Sequence, residues 1–324
     1  MQGRNTTNAK QRLTGHKRRR RCYAKETISY RSTALHPIYL ASALLGLFVA
    51  APVLAQSAPT ATPPDIGGVA EDADGDSITI GAGGVYLPDY EGSDDYRFTA
   101  APGAIGSYKG FSFTLAGNRF SADLIPNASG PGVDFQLGPV AVVNFNRSSI
   151  KGIDDARVRA LGELDTAIEL GGFVGIGKTG VFTSDYDRLS VSVSYRKDVA
   201  GAHEGGIWQP SINYLTPLSR KAAIGLFASA EHADDDYAAY YFTVRPAQTL
   251  SSGLPAYAAR GGWKNYTVGA LATVALTGDL LHGLKLVGGV TYARLLNDFG
   301  DSPVTRVAGS RSQWLGAVGL AWTF

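Results

Sequence analysis

Few residues in this 324-residue sequence have the type and spacing of a catalytic centre. Three of the five histidines, His203, His232 and His282, lie beyond residue 55. His232 precedes an aspartate triplet at 234–236, a spacing that could supply the histidine and carboxylate of a protease or, with a serine, of a lipid hydrolase. No Gly-x-Ser-x-Gly nucleophile motif accompanies them. We therefore expect no catalytic residue, and interpret the triplet and its histidine as solvated residues at the mouth of a loop.

An aspartate-rich segment at 72–76 is similar to the start of a calcium-binding loop. That loop requires glycine at its sixth position and glutamate at its twelfth, where Ser77 and Gly83 stand, so we predict neither a metal site nor a cofactor. Further acidic clusters, which we expect on the external side, lie at 94–95, 154–155 and 234–236. We interpret them as hydrated loop carboxylates, with a weak cation-mediated contact to lipopolysaccharide phosphates as the alternative.

The elements that must position these residues are β-strands, because polarity alternates with a period of two from Ser77 onward. The last strand is the most informative. Its bulky residues share one face, while small or polar residues share the other; the bulky ones are Trp314, Val318, Leu320, Trp322 and Phe324. In an outer-membrane barrel the bulky face contacts lipid and the small face lines the interior. We therefore predict a single all-β antiparallel transmembrane barrel over 77–324.

The pattern predicts about twelve strands, which lie near 77–86, 96–108, 110–117, 119–125, 132–146, 165–176, 188–198, 206–216, 221–232, 265–277, 283–294 and 312–324. An even count places both termini in the periplasm, with short turns on that side and long loops outside. The count depends on dividing residues 111–125 at Gly117-Asn118, since one continuous strand there would make the number odd.

Alternation also predicts charges that face the interior, namely Glu169, Glu231 and Lys285. Charges in such a place must be paired or wetted. If they are paired, they help to fill a narrow barrel; if they are wetted and separated, they line a pore and set its ion preference. The sequence leaves both alternatives open.

The N-terminal segment has the features of an export signal. Residues 1–55 contain ten Lys/Arg and one acid, so the remaining 20 basic and 27 acidic residues make the mature chain acidic. An uncharged apolar stretch at 38–54 follows the basic run at 17–21, which predicts a signal peptide with a long basic leader, cleaved between Ala55 and Gln56. A membrane anchor is the alternative. We predict a periplasmic lead-in at 56–76, and no nucleic-acid binding, because the basic run is removed with the signal.

Several segments carry a family resemblance. They are Tyr86-Leu87-Pro88-Asp89-Tyr90-Glu91-Gly92-Ser93, Tyr240-Tyr241-Phe242, Ser252-Gly253-Leu254-Pro255-Ala256-Tyr257, Leu295-Leu296-Asn297-Asp298, Asp301-Ser302-Pro303 and Gly309-Ser310-Arg311-Ser312-Gln313. In this order and spacing they resemble the MltA-interacting protein and OmpV family. The resemblance implies a Gram-negative outer-membrane barrel and, from the family's name-giving member, a scaffold that joins a lytic transglycosylase to a peptidoglycan synthase. It supplies no catalytic motif.

The chain terminus Gly319-x-x-Trp322-x-Phe324 resembles the signal read by the barrel-assembly machinery. We accordingly expect outer-membrane lipid, lipopolysaccharide and that machinery as partners, with the two cell-wall enzymes as candidates. The first functional hypothesis is a non-enzymatic scaffold for murein enzymes. The second is a small-solute channel, and the third is a lipid-modifying or proteolytic barrel enzyme.

Overall fold

A computed structural model describes residues 76–126 and 131–324 of the chain. Twelve antiparallel strands form a closed barrel in which each strand pairs with its sequence neighbours and β1 pairs with β12. This confirms the predicted all-β barrel of about twelve strands. The predicted signal peptide, its cleavage point at Ala55 and the lead-in up to residue 75 lie outside the described residues.

The strand bounds follow the alternating pattern closely. The strands are β1 Ser77–Pro88, β2 Tyr96–Tyr108, β3 Phe111–Ala116, β4 Arg119–Asp123, β5 Gly132–Asn144, β6 Ala167–Thr179, β7 Arg188–Asp198, β8 Gly206–Ser219, β9 Ala222–Ala233, β10 Gly262–Ala275, β11 Gly283–Leu295 and β12 Ser312–Thr323. Within 76–126 and 131–324, no helix combines the length and the apolar character needed to cross a membrane.

The side of the wall that faces away from the lumen is apolar. On β12, for example, Val318, Leu320 and Trp322 are about half exposed, while Gln313 and Thr323 on the other face are buried. Aromatic pairs such as Tyr195 with Trp208 add to this surface. So much exposed apolar area needs lipid around it, and only a closed barrel lets strands satisfy their backbone hydrogen bonds there. The protein therefore spans the outer membrane of a Gram-negative bacterium, as predicted.

The wall is incomplete beside β2. The β3–β4 hairpin turns at Gly117-Asn118, where Gly117 has a positive φ of 56°, so it reaches only part of the height of the barrel. β3 pairs with β2 over Gly103–Tyr108 alone. Residues 96–101 of β2 pair with β1, and β3 does not extend alongside them, because β3 pairs with β2 over Gly103–Tyr108 and the Gly117 amide donates to the Pro102 carbonyl. We call this interruption the gap.

Both termini of the barrel and the turns at 109–110, 180–187, 220–221 and 276–282 lie at one end, which is therefore the periplasmic end. The long loops lie at the external end and fold over its mouth as a compact layer that we call the cap, made of residues 89–95, 145–166, 234–261 and 296–311. The alternating pattern predicted no helices here, yet the cap contains α1 Ala156–Arg159, α2 Asp235–Phe242, α3 Thr249–Ser252, α4 Asn297–Asp301 and α5 Pro303–Arg306. It also contains two 3₁₀ turns, Ile150–Gly152 and Pro246–Gln248.

The cap has its own hydrophobic core. One cluster packs Tyr237, Tyr241 and Phe242 of α2 against Phe299 of α4. A second cluster joins residues from all four cap segments, namely Tyr90, Ile153, Val158, Leu161, Val244, Leu254, Val304 and Ala308. Because the four loops share these clusters, the cap is a folded layer rather than a set of independent surface loops.

Candidate functional site

Directly beneath the cap, charged side chains from the wall meet inside the barrel. Arg196 of β7 is fully buried between two carboxylates. Its Nε donates to Oε2 of Glu169 on β6 at 2.5 Å, and its Nη2 donates to Oε1 of Glu231 on β9 at 2.6 Å. The guanidinium suits this place because its several donors can bind two carboxylates at once.

Lys264 of β10 extends these contacts into the cap. Its Nζ lies 2.7 Å from Oε2 of Glu231 and 2.8 Å from Oε1 of Glu91, which belongs to the cap. The hydroxyl of Tyr237 donates to Oε2 of Glu91 at 2.9 Å. Burial and the nearby carboxylates raise the pKa of Tyr237, so the phenol keeps its proton and remains a donor.

We call these five charged residues the charge network: Glu91, Glu169, Arg196, Glu231 and Lys264. Arg119 of β4 adjoins it, since Arg119 and Arg196 both donate to Oε1 of Gln209, at 2.8 and 3.0 Å. With Arg119 included, three carboxylates face three cations. Such balance is needed because a buried charge without a partner costs several kcal/mol. The network therefore occupies the external half of the lumen on the side of β4, β6, β7, β9 and β10 with charges that balance one another.

His203 borders the network and serves it as a donor. Its Nδ1 accepts from the backbone N–H of Gly205 at 3.0 Å, which places the ring proton on Nε2. That nitrogen lies 3.3 Å from Oε1 of Glu169. The ring also packs against Tyr237, with centroids 5.0 Å apart. These contacts give His203 a structural role.

The sequence prediction named two members of the network, Glu169 and Glu231, and missed Arg196 and Lys264. Arg196 has the same parity as the serines of β7, whose side chains face inward, so the alternation contained its signal. Lys264 carries no such signal. A break in the pairing register between Trp263 and Asn265 turns both Lys264 and Asn265 inward.

The cap is tied to the barrel at its first and last segments. Tyr90 is fully buried and its hydroxyl donates to the carbonyl of Ala308. The amide of Gly92 donates to Oε1 of Gln313 at 3.2 Å, and the amide of Ser310 donates to the carbonyl of Gly92 at 2.8 Å. The segments that carried the family resemblance therefore meet one another in the cap and at its anchor.

Lys285, the third predicted interior charge, lies far from the network in the pairing register, near the periplasmic end of β11. It is 6% exposed, and its Nζ donates to the carbonyl of Leu280 and to the hydroxyl of Thr323. It lines a cavity of about 320 Å³ that extends from the periplasmic end of the lumen along β1 and β12 as far as Leu87 and Leu315. We call this space the inner cavity.

The other residues with predicted roles are dispersed. Trp322 and Phe324 are exposed on the lipid-facing side at the periplasmic end, while Gly319 lines the inner cavity. His232 also faces outward, where its ring meets that of Trp263 at 5.6 Å. His282 lies on an exposed periplasmic turn. Within residues 76–126 and 131–324, no three His, Cys, Asp or Glu side chains are grouped as metal ligands.

Comparisons with known proteins give one strong match. A family model described as MltA-interacting protein MipA matches residues 80–324. No curated protein sequence matches the chain.

Three solved structures with similar folds are distant in sequence. The outer membrane channel DcaP of Acinetobacter baumannii is 9% identical, covering 77% of this chain and 96% of its own, with a TM-score of 0.34. The anion-selective porin from Comamonas acidovorans is 10% identical, covering 77% and 99%, with a TM-score of 0.32. The translocator domain of the autotransporter NalP from Neisseria meningitidis is 14% identical, covering 78% and 90%, with a TM-score of 0.30.

Proposed function

Because this chain belongs to the MltA-interacting protein MipA family of outer-membrane proteins, we propose that it is a non-enzymatic scaffold. It holds a lytic murein transglycosylase at the periplasmic face of the outer membrane and brings it to a peptidoglycan synthase. The family name supports the first partner, since it describes a protein that interacts with MltA. The peptidoglycan synthase, to which the family name does not refer, is the more specific part of the proposal.

The observation that carries this choice is the charge network beneath the cap in the external half of the lumen. Arg196 and Lys264 are fully buried and each bridges two carboxylates, and the cap packs above them. A solute path would have to break these ion pairs, at a cost of several kcal/mol. The barrel is therefore better suited to anchoring a partner than to conducting, which favours the scaffold over the small-solute channel.

The histidines of the described chain argue against the third hypothesis, a barrel enzyme. His203 is held by Glu169 and Gly205, His232 contacts lipid-facing Trp263, and His282 sits on a turn. A general base must reach both a nucleophile and a substrate, and none of these positions provides that geometry.

The partner's contact surface must lie at the periplasmic end. The turn between β6 and β7 presents Phe182 and Tyr186, which are 74% and 63% exposed. The turn is rigid because the Asp187 carboxylate accepts the amides of Val181, Phe182 and Thr183 at 2.7 to 2.9 Å. Burial alone would raise the pKa of Asp187, but these amides and the Tyr214 hydroxyl hold it well below its usual range. A preformed turn loses little entropy on binding.

Photocrosslinking in living cells tests the scaffold. A photoreactive amino acid in place of Phe182 should yield an adduct with a lytic transglycosylase. The matched control is the same amino acid in place of Leu250, which is 98% exposed but lies in the external cap, and should yield none. Equal adducts at both positions, or no adduct at 182 together with single-channel conductance steps in planar bilayers, would contradict the scaffold and favour the channel.

A further inference from the structure

The inner cavity is an apolar space that begins at the periplasmic end of the lumen and extends along β1 and β12. Its volume is about 320 Å³, at the lower end of the range for small-molecule sites. The interior faces of β1, β2, β10, β11 and β12 line it with small and aliphatic residues, among them Val85, Ala101, Leu271, Val287 and Ala317. This lining suits a hydrocarbon chain.

A cation stands at one end of this apolar space. Lys285 lines the inner cavity, is 6% exposed, and donates to one carbonyl and one hydroxyl. Among the described residues, no carboxylate lies within 4 Å of its Nζ. Asp279 of the same turn is about half exposed and accepts the amides of Leu281 and His282. Asp279 attracts the Lys285 ammonium from beyond 4 Å, but no described carboxylate contacts it, so the buried charge is only partly compensated and can take a further anion.

A second polar group at the same end is also unsatisfied. Ser77 lines the inner cavity, is 9% exposed, and its buried Oγ has no hydrogen-bond partner. Buried polar atoms are normally hydrogen-bonded, so an orphaned hydroxyl indicates a missing partner. β12 connects the two groups, because Thr323 accepts from Lys285 and pairs with Thr79, two residues after Ser77. An acceptor placed here could satisfy both.

The gap lies next to the lining of the inner cavity. The residues that line the cavity include 99–103 of β2 and 114–118 of the hairpin, which flank the gap. Some of them, such as Ala100, Pro102 and Leu115, are on the lipid-facing side of the wall. The gap therefore borders the inner cavity.

We propose that the inner cavity binds a single-chain carboxylate from the membrane, a fatty acid or a molecule of that class. The carboxylate pairs with the Lys285 ammonium and accepts from the Ser77 hydroxyl, while the chain lies along the apolar lining toward the gap. The cavity has room for one chain rather than for a two-chain lipid. The ligand enters and leaves sideways through the gap. This site does not depend on the scaffold role proposed above.

Binding of radiolabelled dodecanoate to the protein in lipid nanodiscs, with empty nanodiscs subtracted, tests the head-group site. We expect saturable binding with one molecule per barrel, and at least tenfold weaker binding after Lys285→Met. The matched control Lys221→Met, on an exposed periplasmic turn, should bind as the parent does. Dodecyltrimethylammonium, with the same chain and a cationic head, should not compete.

Stability measurements keep this test independent of folding. Because Lys285 is a buried cation that no described carboxylate contacts directly, Lys285→Met should unfold at the same or a higher denaturant concentration than the parent. A less stable Lys285→Met barrel would show that the lysine is a structural group and would overturn the proposal. Equal dodecanoate binding by both proteins, or binding only in proportion to the lipid present, would overturn it as well.

The chain site and the side route are tested by two further variants. Ala317→Phe should fill the inner cavity and reduce dodecanoate binding at least tenfold, since Ala317 lines it. Ala101→Trp, beside the gap, should slow release of preloaded dodecanoate at least tenfold. An unchanged affinity in the first variant would overturn the cavity as the site, and an unchanged release rate in the second would overturn the gap as the route.

Discussion

The two halves of the lumen share one wall but are filled in opposite ways. In the external half Lys264 is buried against Glu91 and Glu231, whereas in the periplasmic half Lys285 is buried against a carbonyl and a hydroxyl. The first lysine belongs to a balanced network under a folded cap; the second borders an apolar cavity. The role of an interior charge therefore depends on its partners. Charges that are paired with one another occupy the lumen, whereas a lysine that no carboxylate contacts can bind a ligand.

The external half of the lumen and the inner cavity also differ in the size of their side chains. The external half contains long charged residues and the aromatic core of the cap, including Tyr237 and Phe242. The inner cavity is lined by glycine, alanine and threonine together with leucine, isoleucine and valine. Short side chains on a wall of fixed circumference leave space, and the inner cavity is that space.

Among the tests of this difference between the two halves, the largest loss of stability is expected for Arg196→Met. It leaves Glu169 and Glu231 buried without their shared guanidinium, so we expect a loss of about 3 to 5 kcal/mol in unfolding free energy. Denaturant unfolding of the barrel in lipid vesicles measures it. Lys197→Met, one residue along on the lipid-facing side, is the control and should change stability by about 0.5 kcal/mol at most. A loss under about 1 kcal/mol for Arg196→Met would mean that the external half is not held by its ion pairs.

A smaller effect is expected where the cap meets its anchor. A Cβ on Gly309 would lie 1.8 Å from the carbonyl oxygen of Gly92. Gly309→Ala must therefore push two cap segments apart, which should lower the unfolding free energy by about 1 to 3 kcal/mol. We expect faster tryptic cleavage after the exposed Arg260 of the cap in intact cells. Gly316→Ala, where an added Cβ meets nothing within 4 Å, should leave cleavage unchanged. Similar rates for the two variants would show that the cap tolerates separation.

The smallest effect should come from the periplasmic half. Ala317→Phe places a ring in the inner cavity, and we expect its unfolding free energy to stay within about 0.5 kcal/mol of the parent. The same change at Ala233, which is fully buried in a cap cluster, should cost about 1 to 3 kcal/mol through overpacking. Equal costs measured by denaturant unfolding would mean that the two halves are packed alike, and the comparison would fail.

The wall could be predicted from the sequence because each strand shows lipid to one side and lumen to the other. That contrast imposes a period of two, and it located all twelve strands, including the division at Gly117-Asn118. Loop lengths then separated the external from the periplasmic end. A regular pattern of local origin is the kind of information that a sequence carries directly.

The cap and most of its network could not be predicted in this way. Its helices are mostly four to eight residues long, too short for a helical repeat to stand out, and their cores join four loops. Lys264 faces inward only because of a local break in pairing. The pairing partners of Glu169 and Glu231 lie on other strands, and their closeness depends on the closed barrel.

The contacts of Tyr90 link the cap to the order in which the chain is assembled. This residue follows the first strand, but its hydroxyl donates to Ala308, 218 positions later, and Gly92 pairs with Ser310 and Gln313 at the start of the last strand. The cap therefore cannot complete its fold until β12 has paired with β1. A barrel in which β1 and β12 had not yet paired would expose an incompletely folded cap. Protease resistance of the cap therefore reports that the barrel has closed.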